Sequence, residues 1–402
     1  MSRWLSVVGL GEDGLDGLSP AARLLVESAE ILVGGARHLA LLPEDGRKRL
    51  AWPSPMMDLL PEIGTYRDKE VCVLATGDPF CFGVGTALAK HFGHDVLRVV
   101  PGASAFSLAA ARLGWSLDRV ETLSLHGRPL SLLESFIQPE ARLLILSENA
   151  ATLQGVARLL SARGFGGSEV TVLEHMGGPK ERIVTGRADE DWPVQGMADF
   201  NSLAVECKAG PEAVLRSRAP GLPDEAFHHD GQVTKREVRA ATLSALMPMP
   251  GQLLWDVGAG CGSISIEWMR AERRCRAVAI ERKRERLAMI AGNAEALGTP
   301  GLEIVTGEAP AALDGLEPPD AIFVGGGATR EGLFDLCWNA LKPGGRLVAN
   351  AVTLESEQIL FTRHAELGGE LTRIAVSRAA PVGPYHGWRP LMPVTQFSVV
   401  KT

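Results

Sequence analysis

An α/β chain of two domains is predicted by three observations. Short apolar runs alternate with helical patterns along most of the 402 residues. One proline- and glycine-rich stretch without apolar period, residues 208–223, interrupts that rhythm. Glycine clusters follow apolar runs on both sides of it, "VVGLGEDG" at residues 7–14 and "WDVGAGCGSISIEWM" at residues 255–269. Strand–loop–helix repeats imply sheets flanked by helices, with ligand loops at the carboxyl ends of the strands. Two domains, 1–207 and 224–402 joined by a linker at 208–223, are therefore expected, each long enough to bury its own core.

Taken in order, "WLSVVGL" reads as a buried strand. "LSPAARLLVESAEILVGG" reads as a helix, with Ser19 as N-cap, Pro20 at the first helical position and Gly34 near the stop. "EVCVLATGDPF" is a strand ended by Gly77 and Pro79. "DVLRVVPGASAFSLAAARLGW" and "ARLLILSENAATLQGVARLL" each read as a strand, a turn and a helix. Residues 168–207 show strands without clear helices between them, which predicts a mixed sheet. Beyond the linker, "QLLWDVGAG", "RAVAIERK", "LEIVTGEAP", "PDAIFVGGG" and "GGRLVANAV" are successive strands with helices between, a second doubly wound domain.

Composition narrows the function classes. An apolar fraction of 46% and a charged fraction of 22% are ordinary for a globular protein, and the net charge of −7 argues against nonspecific nucleic-acid binding. The cysteines at 72, 81, 207, 261, 275 and 337 form no CxxC pair, so reduced thiols packed as small apolar groups are expected, with no metal site. His228 and His229 are adjacent, point apart, and have no third ligand nearby. The opening "MSRWLSVVGL" lacks a signal-peptide core, and no apolar run approaches the roughly 18 residues that span a bilayer. A soluble cytoplasmic protein without membrane contact is the expectation.

The second glycine cluster carries chemistry. It runs Gly258-x-Gly260-x-Gly262, with Ala259 and Cys261 between, and departs from the G-x-G-x-x-G of dinucleotide sites. Asp256, two residues ahead, would repel a pyrophosphate. It suits a cofactor whose amino-acid end carries an ammonium and a sulfonium, as S-adenosylmethionine does. Glu281, at the tip of the next strand, is placed to accept hydrogen bonds from ribose hydroxyls. Glu308 and Ala309 in "TGEAPAAL" are candidates to flank the adenine. In this order the residues resemble the Rossmann-like class I methyltransferase fold.

In the first half, "VVGLGEDG", "TGDPFCFGVG" at 76–85 and "VVPGASAFSLAA" at 99–110 resemble, in order and spacing, the tetrapyrrole methylase family. These class III methyltransferases have an unrelated, two-lobed fold. The resemblance implies a second S-adenosylmethionine site, with Asp78, Cys81, Ser104 and Ala105 as cofactor neighbours. It implies that Gly9 and Gly11 keep the substrate cleft open; Glu12 stands where the family commonly has a proline. "SLHGRP" at 124–129 and "DEAFHHDGQVTKREVRAATLSAL" at 224–246 further resemble the fused methyltransferases of the cobalamin pathway. Thr234 is then implied in the second cofactor pocket.

The reaction implied is methylation of precorrin-6B at meso carbons 5 and 15, with loss of the ring C acetate carboxyl, giving precorrin-8. The first domain would methylate carbon 5; the second would methylate carbon 15 and decarboxylate. Two S-adenosylmethionine molecules per chain, a small tetrapyrrole substrate and a homo-oligomer belong to the same expectation. No catalytic acid or base is identified. Substrate carboxylates call for arginine forks, and the candidates are His126 with Arg128, Arg37 with His38, and Tyr385, His386 and Arg389. His126 is alternatively a core histidine satisfied by backbone. Two rival readings remain, the same folds acting on another substrate such as RNA or protein, and a tetrapyrrole carrier without catalysis.

Overall fold

The computed structural model describes residues 3–193 and 195–402. The chain forms two compact units, Met1–Leu130 with Pro139–Val214, and Ser131–Gln138 with Leu215–Thr402.

In the first unit, strands β1 (Leu5–Leu10), β2 (Ile31–Gly34), β3 (Lys48–Ala51), β4 (Val71–Thr76) and β5 (Leu97–Val100) make a parallel sheet ordered β3-β2-β4-β1-β5. The central strands are apolar on both faces, as helix-covered parallel strands must be; all six residues of β1 are buried. A second sheet contains β6 (Glu121–Ser124), β7 (Arg142–Leu146), β8 (Glu169–Glu174), β9 (Arg182–Arg187) and β10 (Asn201–Glu206), ordered β6-β7-β10-β8-β9. Only β6 and β7 run parallel, so this sheet is mixed, as the helix-poor stretch predicts.

One expectation fails here. The helix begins as read, at Pro20 with Ser19 Oγ accepting from the Ala22 N–H at 3.2 Å, but it ends at Ser28. Ala29 turns to an extended ψ of 136°, and Ile31–Gly34 is a strand, so Gly34 stops no helix. The segment "ILVG", with β-branched Ile31 and Val33, is wholly buried between β3 and β4, where tertiary burial outweighs the helical period of the preceding residues.

The second unit carries β11 (Leu253–Val257), β12 (Arg276–Glu281), β13 (Glu303–Thr306), β14 (Ala321–Val324), β15 (Arg346–Ala351), β16 (Glu370–Ile374), β17 (Ser377–Val382), β18 (Tyr385–Pro390) and β19 (Val394–Val400). Its main sheet is ordered β13-β12-β11-β14-β15-β19-β16; the first five strands are parallel, and β19 runs antiparallel to both neighbours. Alternation along β11 divides the core. Trp255 and Val257 pack with Ile280, Val324 and Phe397 on one face. Leu254 packs with Ile264, Trp268 and Ile290 on the other. Strands β17 and β18 form a separate hairpin.

Residues 208–223 contain no helix or strand, yet they are anchored at both ends. The Val214 N–H donates to Arg163 O at 2.9 Å within the first unit. In the second, the N–H groups of Gly221 and Leu222 donate to the Glu267 carboxylate at 2.6 and 3.0 Å, and Leu222 O accepts from Arg239. Arg216 pairs with Glu134, which brings residues 131–138 into the second unit.

Candidate functional site

In the first unit, the loops after β1, β4 and β5 converge at the carboxyl end of the parallel sheet. The Gly77 N–H donates to Leu10 O at 3.2 Å, and the Gly102 N–H donates to Gly77 O at 3.0 Å. A Cβ on Gly9 would stand 1.8 Å from Gly77 O and 2.3 Å from Gly102 N, so backbone contact among three loops demands glycine there. Gly11 is less constrained, since its nearest neighbour is the side chain of Asp13.

Around this junction the structure brings together four of the expected residues. Asp78 closes an Asx turn by accepting from the Phe80 N–H at 2.8 Å. Ser104 caps the helix Ala105–Leu113 by accepting from the Ser107 N–H at 3.1 Å. Burial and the Asp78 charge push the Cys81 thiol up, against a hydrogen bond with Ser104. Ala105 packs beside Cys81 against the core that contains Phe106. Arg128 lies with its guanidinium 5.2 Å from the centre of the Phe82 ring, next to Cys81 in sequence. His126 is exposed beside Glu148, with Nδ1 3.4 Å from Oε2, so the core-histidine alternative does not hold.

Gly258, Gly260 and Gly262 in the second unit have φ of 74°, 63° and 79°. All three occupy left-handed backbone, which costs an L-residue roughly 1–2 kcal/mol. The N–H groups of Gly258 and Ala259 both donate to Ile280 O, which locks the loop over the end of β12. Asp256 lies beneath it, 1% exposed; Oδ2 accepts from the Ser265 hydroxyl (2.6 Å) and N–H (3.1 Å), while Oδ1 is buried without a partner among the described residues. Burial, reinforced by the Glu281 charge, pushes the Asp256 carboxyl up to about 6 against those two bonds. A buried oxygen left unpaired costs about 1–3 kcal/mol, and an ammonium group is a fitting donor to it.

Glu281 is also buried, and three backbone N–H groups already donate to it. Those of Arg282 and Lys283 share Oε1, both at 2.9 Å, and that of Gly260 reaches Oε2 at 3.0 Å. A carboxylate offers about four lone-pair positions, so Oε2 keeps one for a ribose hydroxyl. Ala309 is buried beyond β13, whereas Glu308 is exposed and bridges Arg282 (2.9 Å) and Arg330. Thr234 is half-buried, and its carbonyl accepts from Arg239. Tyr385, His386 and Arg389 lie on the β17–β18 hairpin, with Tyr385 76% exposed; Arg378, paired with Arg389 across the hairpin, bonds to Asp224 at 3.0 Å and Glu237 at 2.7 Å.

Several residues that shape the second site escape sequence reasoning. Asn293 accepts from the His228 N–H at 2.8 Å and donates to His228 O and Cys261 O, both at 2.9 Å. Arg286 binds Asp230 (2.8 Å) and Gln232 (2.6 Å). Together they fasten residues 228–232 against the glycine loop; Gln232 O lies 4.0 Å from where a Gly260 Cβ would be. Gly326 abuts Gly258, whose Cβ would come within 2.9 Å of its nitrogen. The triple glycine at 325–327 is the one signal that pointed there.

Two α/β units, each with glycine loops closing the carboxyl end of its parallel strands, make this a chain of two methyltransferase folds. Family models agree: "Tetrapyrrole (Corrin/Porphyrin) Methylases" matches residues 5–190, and "Precorrin methyltransferase domain" matches residues 225–401. A precorrin-6Y C(5,15)-methyltransferase [decarboxylating] from a Sinorhizobium species is 48% identical over 403 aligned residues, 100% of this chain and 97% of that protein. The chain belongs to the precorrin-6Y C5,15-methyltransferase (decarboxylating) family. Two shorter relatives match part of it. A cobalt-precorrin-7 C(5)-methyltransferase of Salmonella typhimurium is 35% identical over 50% of this chain and 96% of its own length. A probable cobalt-precorrin-6B C(15)-methyltransferase (decarboxylating) of Saccharolobus solfataricus is 31% identical over 40% of this chain and 84% of its own.

Proposed function

We infer that the protein methylates precorrin-6B at carbons 5 and 15 and removes the ring C acetate carboxyl, with S-adenosylmethionine as donor at two sites per chain. The observation that carries this reading is the pairing of two unlike glycine-loop junctions in one chain, one in each compact unit. Methyl transfer is an in-line displacement at a sulfonium, so the protein's main task is to align donor and acceptor. In the first unit Asp78, Cys81, Ser104 and Ala105, with Gly9 and Gly11 behind them, hold the donor; Arg128 and His126 stand where a substrate carboxylate approaches. In the second, Asp256 Oδ1 takes the ammonium and Glu281 Oε2 a ribose hydroxyl. Gly258 through Gly262 line the methionine end, and Thr234, Glu308 and Ala309 close around it.

Methylation at carbon 5 belongs to residues 1–207; methylation at carbon 15 and decarboxylation belong to residues 224–402. The two half-length relatives, each named for one of these positions, support that division. The conjugated macrocycle accepts the electrons released by decarboxylation, so no further cofactor is needed. Net charge −7 and six free cysteines fit a cytoplasmic enzyme with a small-molecule substrate rather than RNA, and homo-oligomerisation is part of the same reading. The test is mass analysis of the product formed from precorrin-6B and S-adenosylmethionine. Wild type should yield a product two methyl groups heavier and one carbon dioxide lighter. Glu281→Ala should stop the methylation at carbon 15, with that at carbon 5 retained only if the first domain does not require the second domain's product; Asp78→Ala should stop the methylation at carbon 5, less completely if backbone carries most of the binding. Full product at a normal rate from Glu281→Ala would remove the second site from the mechanism.

A further inference from the structure

Beside the first junction lies a cluster of side chains that the donor site does not use. Glu12 follows the glycines of the first loop, and its two oxygens are divided between two partners. Oε1 pairs with Arg37, from the short helix Ala36–Ala40, and Oε2 lies 2.7 Å from His175 Nδ1. Arg37 also donates to Thr76 Oγ1 at 3.0 Å and lies 4.1 Å from the centre of the Phe200 ring. Thr76 ends β4, immediately before Gly77 and Asp78. The cluster therefore runs from the loop after β8, where His175 sits, to the loop that carries the candidate donor contacts.

His175 is placed at some cost. Its φ of 47° is left-handed, unusual for a residue with a side chain, although Gly177 and Gly178 stand close by to make such a turn. Strain of this kind persists where a particular side chain is needed. A carboxylate on Nδ1 fixes the tautomer: Nδ1–H donates to Glu12, and Nε2 keeps its lone pair. Among the described residues Nε2 has no partner, and the side chain remains 24% exposed. A histidine held by a carboxylate, with its other nitrogen open, is the arrangement of a general base.

The first unit's reaction requires one. A macrocycle carbon supplies the electron pair for the new C–C bond to the donor methyl, and the C–S bond breaks with its pair passing to sulfur. The macrocycle is left with one more positive charge, which loss of the proton from the methylated carbon cancels. We propose that His175, oriented by Glu12, takes that proton at Nε2. Arg37, read from sequence as a candidate for substrate carboxylates, is instead taken up by Glu12, Thr76 and the Phe200 ring, and acts as a positioning residue that holds Glu12. The proposal rests on the reading that this unit methylates a tetrapyrrole carbon.

Among the described residues, the charged and aromatic groups around the Glu12–His175 pair are these. Glu12 comes from the first loop, Arg37 and His38 from the short helix, and the Phe200 ring from the segment before β10. Across the Gly177 turn, Glu181 accepts from the Gly177 N–H at 2.7 Å and from Arg112 at 2.5 Å. Burial and Arg37 hold His38 down to about 4, so it stays neutral and does not compete for the proton near neutral pH.

The experiment uses the full chain with precorrin-6B and donor carrying a labelled methyl, the position of each new methyl being read by NMR in single turnovers. His175→Gln should slow methylation at carbon 5 by about 10²–10⁴-fold. Donor binding at the first site, followed by calorimetry, and methylation at carbon 15 should be unchanged. The loss should appear in kcat for methylation at carbon 5 and leave KM for the substrate unchanged. Glu12→Gln should slow the step less, because the ring is then less firmly oriented, and should leave donor binding unchanged. A wild-type rate at carbon 5 in His175→Gln overturns the base, as does loss of donor binding in that variant, which would make the histidine part of the cradle. If wild type itself adds no methyl at carbon 5, the functional reading fails instead, and the two failures are told apart.

Discussion

Asp256 shows at the scale of one residue what the second site stores. Its carboxyl is pushed up from 3.8 to about 6 by burial, with the Glu281 charge adding, so the folded state binds this proton more tightly than the unfolded chain does. The associated stability is complete below the unfolded value and is lost as pH rises through about 6. At neutral pH the ionised group therefore costs on the order of 3 kcal/mol, offset when a cation arrives. Asp256→Asn, uncharged at every pH, should flatten the dependence of thermal stability between about pH 4 and 7 and raise Tm at pH 7. It should also weaken donor binding at the second site by about 10-fold or more, as expected for a lost charged hydrogen bond. Unfolding curves across that pH range and calorimetry of the variant check both statements. A Tm at pH 7 below that of wild type would mean that the Ser265 bonds outweigh the burial.

Elements divide into those a local pattern announces and those it does not. The three glycines at 258, 260 and 262 were readable because left-handed backbone selects for glycine, and Asp256 and Glu281 because each lies at a strand end. Asn293 was hidden, since its partners lie 65 and 32 residues away. His175 and Glu12, 163 residues apart, were hidden for the same reason. Strand β2 was misread because three apolar residues before a glycine continue a helical period as readily as they form a strand. Strands β16 to β18 went unread because they are half-exposed and lack a sustained apolar run. The segment before helix Arg236–Leu246 illustrates how much such non-local bonding matters. Without residues 215–223, the fully buried Arg239 and the nearly buried Glu267 lose the carbonyl and N–H groups of Leu222 and the N–H of Gly221. A fragment 224–402 should therefore unfold at lower temperature than 215–402, by an amount matching several lost buried bonds at about 1–3 kcal/mol each. Equal melting temperatures would show that the segment is only a tether.

At the scale of the whole molecule, each unit has its own core and its own glycine-loop junction. Titration with S-adenosylmethionine should accordingly saturate at two equivalents per chain with separate affinities. Asp78→Ala and Glu281→Ala should each remove or weaken one of them and leave the other. Saturation at one equivalent, unaffected by Asp78→Ala, would sink the two-site reading.

Residues 131–138 belong to the second unit although the chain returns afterwards to finish the first. During synthesis they leave the ribosome long before the strands they join, at about 5–20 residues per second. Leu133, Phe136 and Ile137, buried in the finished protein, must wait on the order of tens of seconds for the rest of their unit. The amino-terminal unit thus carries, while it folds, a short apolar loan owed to a domain not yet made. A gene cut between the two units at residue 214 would leave that segment on the wrong polypeptide.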